Sequence, residues 1–139
     1  MSLYKTFGTD TDLETKGVWC EFPTNEDGTV PGFLLARMSS TNPKYQKAIE
    51  QIAKKHKQEI ELDILSEATA KPVMLAVFLD HILLDWRNVQ TEAGKNLPFN
   101  RANAEKLMKE LPDLYTVLQD FAKRLSNYRK AEVERAGEA

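Results

Sequence analysis

The sequence predicts a mainly α fold (α+β): a compact bundle of about four helices around a buried central helix, with a small N-terminal β-hairpin. Three observations predict it. Val73–Leu79 is seven apolar residues in a row, and after Asp80 and His81 the apolar character resumes with Ile82, Leu83 and Leu84 and closes at Trp86. A helix apolar on all sides belongs inside, as the wall against which other helices pack. Elsewhere, apolar residues recur at three and four residues, first from Tyr45 to His56 and again from Leu111 to Tyr128. Residues 1–40 are different in kind, with glycines at 8, 17, 28 and 32 separating short β-prone runs.

A chain of 139 residues suits one domain with one core, divided here into a hairpin region (1–40), a helical core (41–128) and a charged tail (129–139). Hydrophobic residues at 42% and charged residues at 29% are an ordinary globular composition. Nineteen basic against twenty-one acidic residues leave a net charge of -2, so no global field favours nucleic acid. Cys20 stands alone, which gives neither a disulfide framework nor a thiolate metal cluster. The polar start MSLYKTFGTDTD has no signal-peptide pattern, and the apolar run at Val73 falls short of the roughly 20 residues that span a bilayer. A cytoplasmic protein with no membrane partner is expected.

In chain order, residues 1–12 carry no strong pattern and are expected to be mobile. Val18–Phe22 and Phe33–Met38 are candidate strands, and the Asp27-Gly28 step between them is a turn signal. A lone hairpin is marginal, so it should lean on the helical part or on a neighbouring chain. Asn42-Pro43 starts the next helix, with Asn42 as cap and Pro43 at the first helical position. Its Lys44, Lys47, Lys54, Lys55 and Lys57 read as a solvated face, with no aromatic interleaving to suggest nucleic-acid contact. Glu59–Leu65 alternates apolar and acidic residues, either as a short strand or as a connector whose apolar residues dock into the core.

Ser66, Glu67 and Thr69 can open the central helix, which then either starts near Ala70 or bends at Pro72. Asn88–Asn96 is a polar loop around Gly94. Asn100 caps a helix whose face is Ala104, Leu107, Met108 and Leu111, and Phe99 is placed to staple that end to the core. After Pro112 a last helix runs to Tyr128, its stripe formed by Leu114, Tyr115, Leu118, Phe121, Ala122 and Leu125. Arg129–Ala139 is charged, as in a frayed helix or a tail.

Catalytic groups are sparse. There is no phosphate-binding glycine loop and no His-Glu-x-x-His pair. His56 ends a helix, where a cation or donor suits the free carbonyls. His81 and Asp85 are four apart and on one helix could perform acid–base work, but no nucleophile or third ligand accompanies them. Cys20 reads as a small buried hydrophobe. Trp19 and Trp86 suit core anchors or interface anchors. A non-enzymatic interaction protein without cofactor or metal is the expectation.

Several pieces in fixed order carry a resemblance. Leu84-Asp85-Trp86-Arg87-Asn88-Val89 ends the central apolar segment. A loop with Gly94 follows, then Leu97-Pro98-Phe99-Asn100, then Leu111-Pro112-Asp113-Leu114, with Asn42-Pro43-Lys44-Tyr45 upstream. From about residue 33 to residue 128 this resembles the tail assembly chaperones of long-tailed bacteriophages, of the lambda-like or HK97-like siphophage type. Asn100 stands where that family usually has a hydroxyl cap, and Arg87-Asn88 where acidic residues or glycine are common.

The resemblance implies a protein that binds the apolar, helical tape measure protein and keeps it soluble for tail tube assembly. Such a protein is a late product in the host cytoplasm and is absent from the mature virion. It also implies a longer form made by ribosomal frameshifting that recruits the tail tube protein, the extension joining at the charged tail. A homo-oligomer is compatible with it. The expected partner-binding residues are Leu114, Leu118, Phe121 and Leu125 of the last helix with the Trp86–Phe99 corner, although taken singly each suits the core better. The alternatives are a structural tail or head–tail connector protein, a nucleic-acid-binding regulator using Lys44–Lys57, and a small enzyme using His81 and Asp85.

Overall fold

A computed structural model describes residues 2–129. The N-terminal residues form two short helices, α1 (Leu3–Phe7) and α2 (Thr11–Lys16). Each has a side-chain cap: Ser2 Oγ accepts from the Tyr4 N–H, and Asp10 Oδ1 accepts from Asp12 and Leu13. The Asp10 N–H donates to the Tyr128 carbonyl at 2.9 Å, so this weakly patterned stretch is tied to the far end of the described chain.

The hairpin forms as predicted. β1 (Val18–Glu21) pairs antiparallel with β2 (Gly32–Leu35), with Val18 opposite Leu35 and Glu21 opposite Gly32. Gly28 at φ 88° makes the turn, and Asp27 Oδ1 accepts from the Thr29 N–H and hydroxyl. Support comes from a third strand, β3 (Leu83–Arg87), which pairs with the other edge of β2 to give the order β1-β2-β3. This corrects the sequence reading, which carried the central helix on to Trp86. The helix α5 (Glu67–Val77) passes into a π turn (Phe78–Ile82), and Leu83 turns extended at ψ 103°. A continuous apolar run suits a buried strand as well as a buried helix, and the unpaired edge of the hairpin decides between them. The Ala36 N–H marks the crossing by donating to the Ile82 carbonyl at 2.8 Å.

The remaining helices are α3 (Pro43–Lys55), α4 (Lys57–Glu61), α6 (Arg101–Glu110) and α7 (Pro112–Lys123). Asn42 and Asn100 cap α3 and α6 as expected. Residues 59–65 differ from both expectations. The first of them complete α4, and Ile60, Leu62 and Ile64 face solvent instead of docking into the core. α5 starts at Glu67, earlier than Ala70, because Ser66 Oγ accepts from the Thr69 N–H. It runs through Pro72, whose missing N–H leaves the Ala68 carbonyl without a helical donor.

The last helix stops at Lys123, not at Tyr128. Arg124 is extended at ψ 115° and Leu125–Tyr128 is a 3₁₀ turn. The carbonyls that would continue the helix are engaged elsewhere, Ala122 by the Met38 N–H and Phe121 by Asn127 Nδ2, both at 2.9 Å. Of the expected tail, only Arg129 is among the described residues.

The core is shared between sheet and helices. Phe33 and Leu35 of β2, Phe78, Ile82 and Trp86 around the β3 crossing, and Met108 and Leu118 of the last two long helices form one buried cluster. The fold is thus α+β, with a three-stranded antiparallel sheet built into the core.

Candidate functional site

An open groove of about 680 Å³ lies between α5, α6 and α7. Leu75 and Met108 form its floor, Met74 and Tyr115 its walls, and Pro72 and Pro112 the start of each flanking helix face. Lys71, Glu105 and Lys109 stand at the rim, and Thr116 and Gln119 extend it along α7. Tyr115 is held edge-on to the buried Phe78 with centroids 5.0 Å apart, so one wall is fixed from behind. Burial and the neighbouring Tyr45 push the Tyr115 hydroxyl above its ordinary range, so it stays neutral. The methionines are the adaptable part, able to repack around differently shaped apolar side chains. The rim charges sit in exposed ion pairs one helical turn apart, Lys71 with Glu67 at 3.4 Å and Lys109 with Glu105 at 3.6 Å.

None of the six residues expected from the sequence lines this groove. Trp86 and Phe99 are brought together, with ring centroids 5.1 Å apart, but as a corner of the core. Trp86 is 6% exposed, and its Nε1–H donates to the Leu97 carbonyl at 2.8 Å. Phe99 keeps 36% of its surface. Leu118 is wholly buried, Leu114 and Phe121 pack against the core, and Leu125 has left the helix for the 3₁₀ turn. The stripe of α7 therefore packs inward, and it is the adjoining residues Pro112, Thr116 and Gln119, with the half-buried Tyr115, that line the groove. One sequence signal could have found it. Ala70, Pro72 and Met74 make the start of α5 apolar beyond the side that Leu75 and Val77 bury in the core.

The groups considered for catalysis are not assembled. Asp85 lies on β3, where its Oδ1 accepts from the Trp86 N–H at 2.8 Å, and no hydrogen bond joins it to His81 among the described residues. The turn out of the helix at Leu83 removes the spacing that would have paired them. His81 and Asp80 border a shallower depression between α3 and α5, of about 280 Å³. Burial pushes the Cys20 thiol up to about 11, which keeps it protonated and a poor nucleophile at neutral pH. His56 caps α3 and pairs through Nδ1 with Glu59 at 2.7 Å. Among the described residues no cluster of three or more His, Cys, Asp or Glu side chains could hold a metal ion, and no helix is long and apolar enough to cross a membrane.

Neither a curated protein nor a solved structure matches the chain. A family model does, the one described as YdaY prophage protein, over residues 40–139. That span holds α3, all of the groove and β3, but not the hairpin. It is well over half of the chain, and the chain therefore belongs to the YdaY prophage protein family and is phage-associated.

Proposed function

We propose that this phage protein is a tail assembly chaperone that binds the tape measure protein and keeps it soluble until the tail tube forms around it. The observation that carries the reading is the α5–α6–α7 groove, open, apolar-walled and rimmed by Lys71, Glu105 and Lys109. A long amphipathic client exposes an apolar stripe that aggregates unless covered, and a groove of this kind accepts such a helix through residues at i, i+3, i+4 and i+7. Met74 and Met108 suit a client whose stripe varies along its length. Many copies along one client supply avidity, so no single contact has to be tight. The ordered motifs from Asn42 to Leu114 favour the same reading. On it the protein is non-enzymatic, acts in the host cytoplasm and is absent from the virion. A longer frameshifted form would bring the tail tube protein.

The test is co-expression with the tape measure protein of the same prophage, followed by capture from the soluble fraction. The expected result is a soluble complex that is lost in Thr116→Trp, which fills the groove from an exposed position. An insoluble, uncaptured client beside a folded partner overturns the reading. Finding the protein in purified particles would instead favour a structural tail or head–tail connector.

A further inference from the structure

The sheet has two edges, and they are finished differently. The Phe22 N–H donates to the Pro31 carbonyl at 3.0 Å, one step beyond the β1–β2 register. Bonded and non-bonded pairs alternate along an antiparallel ladder, so Cys20 and Val18 bond to Phe33 and Leu35 of β2. The backbone groups of Trp19 and Glu21 then point away from β2. The Arg37 N–H, which donates to the Glu14 carbonyl at 2.8 Å, keeps the same alternation at the other end. Alternation also turns the Trp86 backbone of β3 outward, but there Asp85 Oδ1 accepts the N–H at 2.8 Å and closes that edge. Nothing closes β1 in this way. Among the described residues, the outward N–H and C=O groups of Trp19 and Glu21 have no hydrogen-bond partner. The strand has no proline and no bulge against β2, and its one charged residue, Glu21, is paired with Arg87 at 3.7 Å.

The side chains on this strand are placed as specifically as its backbone. Trp19 and Glu21 share the face of the sheet that points away from the core with Gly32 and Arg87. The Arg87 guanidinium reaches across Gly32 to lie 4.1 Å from the centre of the Trp19 ring. A Cβ on Gly32 would stand 3.3 Å from Trp19 Cε3 and 3.4 Å from Arg87 Nε, so the bare glycine makes room for the stack. Cys20, between Trp19 and Glu21, is turned the other way and joins the core cluster.

We propose that the open edge of β1 pairs with the same edge of a second copy, antiparallel about a two-fold axis through Cys20. The outward residues, Trp19 and Glu21, are symmetric about Cys20, which is the condition that a two-fold axis sets. Trp19 stands opposite Glu21 of the second copy, and each outward N–H meets an outward C=O. The side chains favour this register over its neighbours. The Trp19–Arg87 stack of one copy meets the Glu21 carboxylate of the other, so each guanidinium lies between two carboxylates. Asp85, the other charge on this face, lies on β3 at the far edge with its carboxylate held by the Trp86 N–H. On the core side Cys20 meets Cys20 as a non-bonded pair, with Cα atoms about 4.5 Å apart, where a small side chain fits. An axis through Glu21 would set two carboxylates opposite each other. An axis through Trp19 would put Glu21 opposite Gly17, outside the strand. This pairing does not rest on the chaperone reading.

The test is sedimentation velocity of the full chain over a concentration series, with amide hydrogen exchange read by NMR on the same samples. The expected result is a reversible monomer–dimer equilibrium. The Trp19 and Glu21 amides, open to solvent in dilute samples, should gain protection as the dimer fills. Glu21→Pro removes an outward donor and no hydrogen bond of the hairpin, since proline is tolerated on an edge strand where its nitrogen faces solvent. It should raise the dissociation constant roughly tenfold or more, because the dimer loses two donors. A wild-type chain that stays monomeric to its highest soluble concentration overturns the proposal. So does a dimer whose Trp19 and Glu21 amides exchange as freely as in the monomer, or one that a folded Glu21→Pro chain forms equally well. Should Glu21→Pro fail to fold, exchange at the two wild-type amides decides by itself.

Discussion

The Tyr128 hydroxyl donates a hydrogen bond of 2.9 Å to the Leu35 carbonyl, joining the 3₁₀ turn after α7 to strand β2. Both residues are wholly buried, and the guanidinium of the buried Arg37 lies 5.5 Å from the tyrosine ring. Around this contact the Glu14 carboxylate accepts from the hydroxyls of Thr9 and Thr41, and Asn42 Nδ2 donates to the Arg37 carbonyl at 2.9 Å. The start of the described chain, the hairpin, α3 and the end of α7 are thus sewn together by polar groups.

Tyr128→Phe leaves the Leu35 carbonyl buried without its donor, which is expected to cost about 1–3 kcal/mol. Chemical denaturation of the variant against wild type measures it. An effect within error would mean that water or another donor replaces the hydroxyl.

Stability is expected to fall in alkali. Burial raises the folded-state pKa of Tyr128, Tyr45 and Tyr115, and lifts Cys20 from 9.0 to about 11. Above the unfolded-state values, near pH 9 for the thiol and about 10 for the phenols, the unfolded chain releases protons that the folded chain keeps. The contribution is whole below pH 9 and is lost as pH rises through the folded values. A series of unfolding midpoints from pH 8 to 11 checks the sign, and Tyr128→Phe should flatten the slope.

Gly17→Ala should destabilise by roughly 1–3 kcal/mol. Gly17 ends α2 at φ 92°, and an added Cβ would lie 3.0 Å from both Leu34 Cγ and Leu84 Cδ1. The backbone strain and the contact act together. Thermal unfolding of the purified variant reads the loss.

Asp63→Gly should stabilise the monomer by about 1 kcal/mol, since glycine adopts the left-handed helix end without the Cβ penalty. Thermal unfolding of the variant against wild type measures it. An unchanged midpoint would place Asp63 in an unstrained conformation.

Asn100→Ala is expected to cost more than Arg101→Ala. Asn100 Oδ1 accepts from the Asn103 N–H at 2.8 Å and caps α6, an interaction worth about 1 kcal/mol. Arg101 meets Asp80 at 2.8 Å, but both side chains are about half exposed, so a few tenths of a kcal/mol is expected. Paired unfolding curves in low and high salt separate the two.

The fragment 40–139, the part matched by the family model, should not fold alone. It keeps β3 and loses β1 and β2, which exposes Trp86 where Phe33 now meets it edge-on at 6.0 Å. Dispersed amide resonances from the isolated fragment would contradict this.

Local chemistry was legible in the sequence. The Asp27-Gly28 turn, the caps at Asn42 and Asn100 and the amphipathic stripe of α7 each depend on a few neighbouring residues; the turn and the caps formed where their patterns placed them, and the stripe did so as far as Lys123. The stripe also named core residues correctly, but it could not say which face of α7 would be left over, because that depends on where α5 and α6 pack. Two decisions came only from tertiary structure. Leu83–Trp86 became strand because an unpaired hairpin edge offered its backbone groups partners, a choice that an apolar run by itself does not make. The groove exists because α5, α6 and α7 meet at an angle that no periodicity within any one of them records. Sequence fixes what a segment can bury, and the neighbours that arrive in space decide which of its faces remains open.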